Sequence, residues 1–436
     1  MINQYTGENV DKTALELQKE LNDQGENVLV IQWDKYIIFD LNKNKEYRVM
    51  SDGTTEYWGE STIGQTLLNT KTANADQISQ NPSSSNLIGI DNEGNTVNML
   101  LWEYTLIDDT SLGKEGTYGL NDKNGLDGSG TAGRSAGYIG DYTEDGKIIG
   151  TVPAYISEDG GNTYISVTSM AHTFYDCDEL IIAPEIADTV TNMQVTFYQS
   201  SNLTTAPSKI PDSVTNASFT FSDCNKLNTI PILGNNIKDM DATFRNTALT
   251  VFDEGLPDSV INMQETFYGC TNLIEFDEGL PDSVTNMAST FRNCTSLKTG
   301  PSIIPNSVIN MDSTFYNCTS LVTGPTTVSS NVTNMQSTFY NCESLTTLPN
   351  TIPTSVTNMF QTFSNCSKVQ GEIEINANID ESIVFEWNGN QYKGYDQTFL
   401  NAATESNGII VKNTSTCREE ILNTWVTSNS NITLEE

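Results

Sequence analysis

The sequence predicts a mainly β protein with short helices, built around a solenoid of about nine coils and preceded by small α+β and β-rich N-terminal modules. Three observations point there. A motif such as NMDSTFYNCTSL (310–321) recurs every 23 or 24 residues. The opening position of the unit falls at Met170, Met193, Ala217, Met240, Met263, Met287, Met311, Met335 and Met359. The chain on either side of this array has a different composition and a different hydrophobic period. A fixed period of this length marks a solenoid, because each unit is too small to bury its own apolar face and needs its neighbours.

Residues 1–60 read as a small α+β module. Thr13-Ala-Leu-Glu16 is a capping-box pattern, and Ala14, Leu17 and Leu21 follow at helical spacing. NVLVIQWDKYIIFDL then reads as two strands around Asp34-Lys35, and EYRVMSDGTTEYWG as a hairpin turning at Asp52-Gly53. The module's expected core is Leu17, Leu21, Val30, Ile31, Ile38 and Phe39. Residues 61–85 are polar and read as a linker. Residues 86–162 form a Gly-rich β domain: a hairpin turns at Asn92–Gly94, loops and short strands fill 113–150, and KIIGTVPAYI leads into the array as an N-terminal cap. Residues 163–369 are the repeats. Residues 370–436 form a C-terminal cap, in which Thr416-x-x-Glu419 opens a helix with Ile421, Leu422, Trp425 and Val426 on one side.

Within a unit, Met, Phe and Cys fall at i, i+4 and i+7, as in Met311, Phe315 and Cys318. On a helix these share a face. The preceding residue is Ser169, Asn192, Asn216, Asp239, Asn262, Asn286, Asn310, Asn334 or Asn358, all side chains that cap free backbone N–H groups. The expectation is a short helical piece of about two turns after each Asn. β-branched SVT or SVI segments before it read as strand, and a second extended piece follows the Leu after the Cys. Nine coils at a strand spacing of about 4.8 Å give a rod roughly 43 Å long.

The unit SVTNMxSTFxNCxSLxTxP resembles the BspA-type leucine-rich repeats of bacterial surface and phage-encoded proteins. The resemblance covers roughly Thr163 to Val369. It implies a right-handed leucine-rich-repeat solenoid and a recognition or adhesion role. The segment after the array, GEIEINANI onward, resembles the C-terminal cap of repeat proteins from phages and prophages of gut Firmicutes.

Composition narrows the partners. With 21 Lys and Arg against 56 Asp and Glu, the formal charge is −35. That argues against nucleic acid, where cationic side chains must displace counterions, and against an anionic membrane. No basic-plus-apolar leader, membrane span or lipidation signal is legible. A single His, His172, and the lack of a phosphate loop, zinc spacing or nucleophile elbow speak against an enzyme, and no cofactor is implied.

Three sets of residues remain as candidates. Cys177, Cys224, Cys270, Cys294, Cys318, Cys342 and Cys366 share one offset, where two other units place Ser200 and Thr247. A site that accepts Cys, Ser or Thr selects volume and weak hydrogen bonding, and like-pointing side chains are poor disulfide partners. A ladder of buried free thiols is expected, with Cys417 open. The residue after each Phe is Tyr175, Tyr198, Ser222, Arg245, Tyr268, Arg292, Tyr316, Tyr340 or Ser364. Tyr and Arg are enriched at binding hot spots. They would form an outward stripe, with Arg292 between Tyr268 and Tyr316 in cation–π range. Packing along the stack also explains an aromatic column. Removing exposed side chains changes stability by less than about 0.5 kcal/mol. Finally, DEGLPDSV occurs twice and stacks Asp253/Asp277, Glu254/Glu278 and Asp258/Asp282. Paired carboxylates suit a glycosidase or Ca²⁺, although a charge run is usually a solvated edge. The Gly-rich DGSGTAG (127–133) lacks calcium-loop spacing.

The expected function is a non-enzymatic recognition protein on the surface of a phage or phage-like particle, as a head or tail fiber. Residues 1–60, short for an independent domain, would attach it to a particle protein or self-associate into a homo-oligomer. The solenoid would bind a host surface protein or glycan. A bacterial cell-surface adhesin is the alternative, and a carbohydrate-active enzyme ranks third.

Overall fold

The computed structural model describes residues 28–32, 36–40, 45–49, 55–59, 87–109, 114–120, 137–138, 140–158, 160–276, 279–379, 384–387, 390–413 and 419–435. It divides into two units, 1–87 with 158–163, and 88–157 with 164–436. The first unit holds an antiparallel sheet in chain order, β1 (Val28–Gln32), β2 (Tyr36–Asp40), β3 (Lys45–Val49) and β4 (Thr55–Gly59). Gln32 pairs with Tyr36 and Val49 with Thr55, so both hairpins lie where the alternating apolar runs place them. The expected N-terminal helix, the linker 61–85, Asp127–Gly133 and Cys417 lie outside the described residues.

The second unit opens with β5 (Ile88–Ile90), β6 (Thr96–Val97), β7 (Thr105–Asp109), β8 (Lys114–Gly119), β9 (Tyr155–Ser157) and β10 (Ile165–Ser169), in a sheet of order β6-β5-β9-β10-β8-β7. The β5–β6 hairpin closes through Asp91, whose carboxylate accepts from the Glu93 and Asn95 N–H groups, while Gly94 takes φ 83°. From β10 the ladder passes directly into the array, as Ser169 pairs with Asn192 in parallel.

The same parallel bridge then repeats at Asn192–Asn216, Asn216–Asp239, Asp239–Asn262, Asn262–Asn286, Asn286–Asn310, Asn310–Asn334 and Asn334–Asn358. Inside each unit the structure departs from the helical expectation. Thr314 N–H donates to the Met311 carbonyl, Tyr316 N–H to Ser313 and Cys318 N–H to Phe315, all three residues back. The intervening N–H groups of Met311, Ser313, Phe315 and Asn317 donate to Asn334, Gln336, Thr338 and Tyr340 in the next unit. The segment is a run of three overlapping tandem turns, not a helix. It alternates local with cross-unit hydrogen bonds, and so satisfies every one of these backbone donors without the i−4 bonds of a helix. The first and last of these turns carry a left-handed residue at their third position, Ser313 (φ 54°) and Asn317 (φ 58°). The spacing i, i+4, i+7 brings Met, Phe and Cys inward in this arrangement as well as on a helix, which is why it misleads.

The Asn before each Met does act as a cap, but of a turn. Asn310 Oδ1 accepts from the Asp312 N–H at 3.1 Å, and the same contact recurs in the neighbouring units. The core is a set of columns. Phe174, Phe197, Phe221, Phe244, Phe267, Phe291, Phe315, Phe339, Phe363 and Phe399 stack with centroids 5.3–5.9 Å apart and ring planes within 11° of parallel. Burial of such rings, with the equally buried Met and Leu columns beside them, contributes to the driving force for stacking the units. Beside them runs a buried threonine column. The Thr314 hydroxyl lies 2.9 Å from both the Met311 and Met287 carbonyls and shares its proton between its own unit and the preceding one.

Short strands β11 (Val251–Phe252) and β12 (Glu275–Phe276) pair in parallel beyond the Leu column. At the far end β13 (Thr351–Ile352), β14 (Gly371–Ile375), β17 (Ile409–Asn413) and β18 (Ile432–Glu435) make a sheet in that order, with the hairpin β15 (Val384–Trp387) and β16 (Asn390–Lys393) inserted. The tandem turn appears once more, in the segment expected to be cap. Phe363 N–H donates to the Thr398 carbonyl, and Phe399 stacks on Phe363. The helix α1 (Glu419–Ser428) covers this last turn: Ile421, Leu422 and Trp425 are buried, Trp425 meets Phe399 edge-on at 5.4 Å, and its Nε1 donates to the Tyr395 carbonyl. Apart from α1 and a 3-10 turn at Met99–Leu101, the described residues are strand, turn and loop.

Candidate functional site

Each stripe residue lies between the two left-handed positions of its unit, as Tyr316 does between Ser313 and Asn317, and is half-buried with an edge in solvent. The structure joins them into two runs. Tyr175 and Tyr198 stack at 5.5 Å, and the Tyr175 hydroxyl donates to Gln199 Oε1. Ser222 interrupts the column. Then Arg245, Tyr268, Arg292, Tyr316 and Tyr340 form a continuous run. The Arg245 guanidinium sits 4.8 Å from the Tyr268 centroid, Arg292 lies 5.9 Å from Tyr268 and 4.2 Å from Tyr316, and Tyr316 stacks on Tyr340 at 4.7 Å and 11°. Arg292 thus occupies the place between two tyrosines that the repeat register implies. Ser364 ends the column fully buried. Because the rings cover each other's faces, a stacked pair also contributes about 0.5–1.5 kcal/mol to stability. The stripe is part packing and part surface, not the freely exposed row the sequence implies.

The two arginines differ. Arg245 Nη1 donates to Glu265 Oε2 at 2.7 Å. Among the described residues no carboxylate lies within ion-pair distance of Arg292, and its Nε is buried without a partner. Beside the stripe, the position after the opening residue is polar in six units, at Gln194, Ser218, Asp241, Gln264, Asp312 and Gln336, and is Ala171, Ala288 and Phe360 in the others. Burial pushes the Asp241 carboxyl up to about 6, with Asp239 and Glu265 adding to the shift and Arg245 opposing it. Burial also raises Asp312, against the Ser313 hydroxyl and Arg292. A further amide ladder lies next to it: Asn317 Nδ2 donates to Asn293 Oδ1, and Asn341 Nδ2 to Asn317 Oδ1.

The thiol ladder lies in the interior. Cys177, Cys224, Cys270, Cys294, Cys318, Cys342 and Cys366 are free, all fully buried except Cys177, which is half-buried. Ser200 takes the same place and donates to the Phe174 carbonyl at 2.7 Å. Thr247 donates instead to Phe244 in its own unit. Burial raises the thiols, to about 11 for Cys270 and about 12 for Cys366.

His172 is half-buried in a left-handed turn position, 6.0 Å from the Tyr175 ring, and burial lowers its pKa. Of the duplicated acids, Asp253, Asp258 and Asp282 are exposed and Glu254 half-buried, while Asp277 and Glu278 lie outside the described residues. Among the described residues no group of three or more His, Cys, Asp or Glu side chains is arranged to hold a metal ion, and no helix is long and apolar enough to cross a membrane.

Comparison with known proteins finds other leucine-rich repeat proteins. Solved structures of leucine-rich repeat proteins are similar at low identity. One from T. pallidum is 19% identical, covering 56% of this chain and 88% of that one, with a TM-score of 0.34. One from Eubacterium ventriosum is 15% identical, covering 59% and 74%, with a TM-score of 0.34. One from Bacteroides ovatus is 16% identical, covering 68% and 97%, with a TM-score of 0.25. No curated protein matches. The family model for the BspA type leucine rich repeat region matches six times, over residues 163–274, 193–322 and 287–386. These spans merge into one stretch of just over half the chain, the same stretch that carries the Asn bridges and all of the Phe column except Phe399. The chain belongs to the BspA-type leucine rich repeat family.

Proposed function

We propose that this is a non-enzymatic recognition protein whose repeats present the Tyr/Arg stripe to a macromolecular ligand. The observation that carries this reading is the continuous run Arg245–Tyr268–Arg292–Tyr316–Tyr340, held in one line with every side chain partly in solvent. Tyr and Arg supply large contact area at low entropic cost. The unit-to-unit bridges support a right-handed solenoid of about nine coils, extended by the turn around Phe399.

In the finer form of the proposal, the protein sits on a phage or phage-like particle, with residues 1–60 attaching it to a particle protein or to further copies of itself. The likeness of the segment after the array to phage and prophage repeat proteins supports this setting. A bacterial surface adhesin uses the same stripe in a different place. Tyr316→Ala with Tyr340→Ala tests the stripe: binding to host cells should fall at least tenfold, as expected when a hot spot of about 2 kcal/mol is removed. Unchanged binding sinks the proposal. Immunogold labelling of particles against cell walls separates the two settings.

A further inference from the structure

We infer that the rung Tyr268–Arg292–Tyr316 is a carboxylate-recognition point for an acidic glycan. This rests on the stripe being the ligand-binding face. Arg292 is the uncompensated cation of the run. Arg245 is neutralised by Glu265, whereas Arg292 has no carboxylate in ion-pair range among the described residues. Asp312, the nearest acid acting on it, is itself partly buried and accepts from Ser313 instead. The guanidinium faces are covered by Tyr268 and Tyr316, and Nε is buried. Only the terminal Nη edge is left for a partner. That edge is a fork that fits a carboxylate in two parallel hydrogen bonds. The tyrosines on either side hold it in place, so little side-chain freedom is lost on binding.

The surroundings select the bearer of the carboxylate. Backbone groups along the stripe are already paired from unit to unit, as Asn293 N–H to Tyr316 and Asn317 N–H to Tyr340. An acidic peptide therefore finds no strand edge on which to add itself. What the face does offer is rows of hydroxyl and amide groups, Tyr268, Tyr316 and Tyr340 beside Asn293, Asn317 and Asn341, which suit the hydroxyls of a sugar. The ring faces are occupied, so sugars meet hydroxyl and amide edges and not open aromatic platforms. A formal charge of −35 also repels dense polyanions over a distance. A glycan with separated carboxylates, of the uronic or sialic type, meets less repulsion.

The test uses the full chain, titrated with a galacturonate hexamer, its methyl ester, sialyllactose, lactose and an oligoglutamate. The acid hexamer or sialyllactose should bind, and the ester and lactose should bind at least tenfold more weakly. Arg292→Gln and Arg292→Lys should both lose roughly tenfold or more, the Lys variant because it keeps charge without the fork. Lys298→Gln, the same charge change at an exposed side chain outside the stripe, should match the parent. Melting curves confirm that each variant is folded, and the Lys variant keeps the aliphatic stem if the Gln variant is not. Equal binding of acid and ester, full affinity in Arg292→Lys, no binding of either acid, or tighter binding of oligoglutamate each overturns the inference. If Arg292 variants bind host cells normally while the Tyr316/Tyr340 double variant does not, the stripe stands and the carboxylate point falls.

Discussion

The Cys318 thiol donates to the carbonyl of Phe291 in the preceding unit, with Sγ 3.0 Å from the oxygen. That oxygen already accepts the Cys294 N–H, so two units share one acceptor. The bond recurs from Cys224 to Phe197, Cys270 to Phe244, Cys294 to Phe267, Cys342 to Phe315 and Cys366 to Phe339. The cysteines are cross-unit donors, in the role a serine fills at position 200.

Thiol accessibility follows from this placement. Protein denatured without reductant should titrate with at least seven thiols, one for each free ladder cysteine. In the native protein the six fully buried ones should be inert to a charged alkylating agent under conditions in which half-buried Cys177 reacts. Two or fewer thiols after denaturation would show that the ladder is oxidised.

Alkaline pH should destabilise the fold. Burial holds the Cys270 thiol near 11 and Cys366 near 12, above their ordinary value of 9.0. Between those values the unfolded chain has lost protons that the native chain keeps, so stability is full below about pH 9 and falls as pH rises toward 11 or 12. Urea midpoints at pH 8 and pH 10.5 should show the drop. A Cys270→Ser/Cys366→Ser variant should show a shallower one, which isolates the thiols from the tyrosines. An equal slope in that variant counts against the ladder as its source.

Asp241 should act with the same sign at lower pH. Its carboxyl is raised from 3.8 to about 6, so the native state holds its proton more tightly than the unfolded chain does. The contribution is present below about pH 4 and is lost as pH rises through 6. Asp241→Asn removes the charged form and should raise the melting temperature at pH 8 while leaving it unchanged at pH 3.5. A variant less stable at pH 8 would mean that the carboxylate makes an attractive contact worth more than its burial costs.

Asn317 is held at φ 58° and belongs to the amide ladder. Asn317→Gly keeps the turn and loses only side-chain bonds, as the equivalent Gly269 (φ 71°) illustrates. Asn317→Val must place a β-branched residue in the left-handed region, at a cost of about 1–2 kcal/mol beyond the lost bonds. Denaturant midpoints should rank the parent first, then Gly, then Val. Val equal to Gly would mean that the turn relaxes.

How far these features were legible depends on what each residue type announces. The array, its register, the buried Met, Phe and Leu columns and the adjacency of Arg292 to two tyrosines are all set by the repeat period. The turns were hidden by the i, i+4 spacing, which serves a helix and a tandem turn equally. A local signal did exist: Asn, Asp or Gly precedes most of the ladder cysteines, as at Asn293, Asn317, Asn341 and Gly269, and these are the types that tolerate positive φ. The threonine column is hard to see because a lone Thr looks like surface, although Thr at the same offset in unit after unit means a buried donor. The final turn is hidden in the sequence because the β15–β16 hairpin stretches its spacing from Thr362 to Thr398. The charge environment of Asp241 needed coordinates, since its neighbours Asp239, Glu265 and Arg245 come from two units.

The alternation of local and cross-unit hydrogen bonds makes length a quantised property. A unit meets its neighbours only through groups that every unit repeats at the same places, so any two copies offer nearly interchangeable edges. Excising residues 311–334 would join Asn310 to Met335 and restore the sequence Asn-Met at the seam, and the same cross-unit bonds form whether a unit has 23 or 24 residues. Recombination between near-identical segments such as the two DEGLPDSV copies can therefore lengthen or shorten the ligand face in whole rungs without a new interface having to evolve. Reach along a ligand can vary in this lineage by counting, with the chemistry of each rung tuned separately.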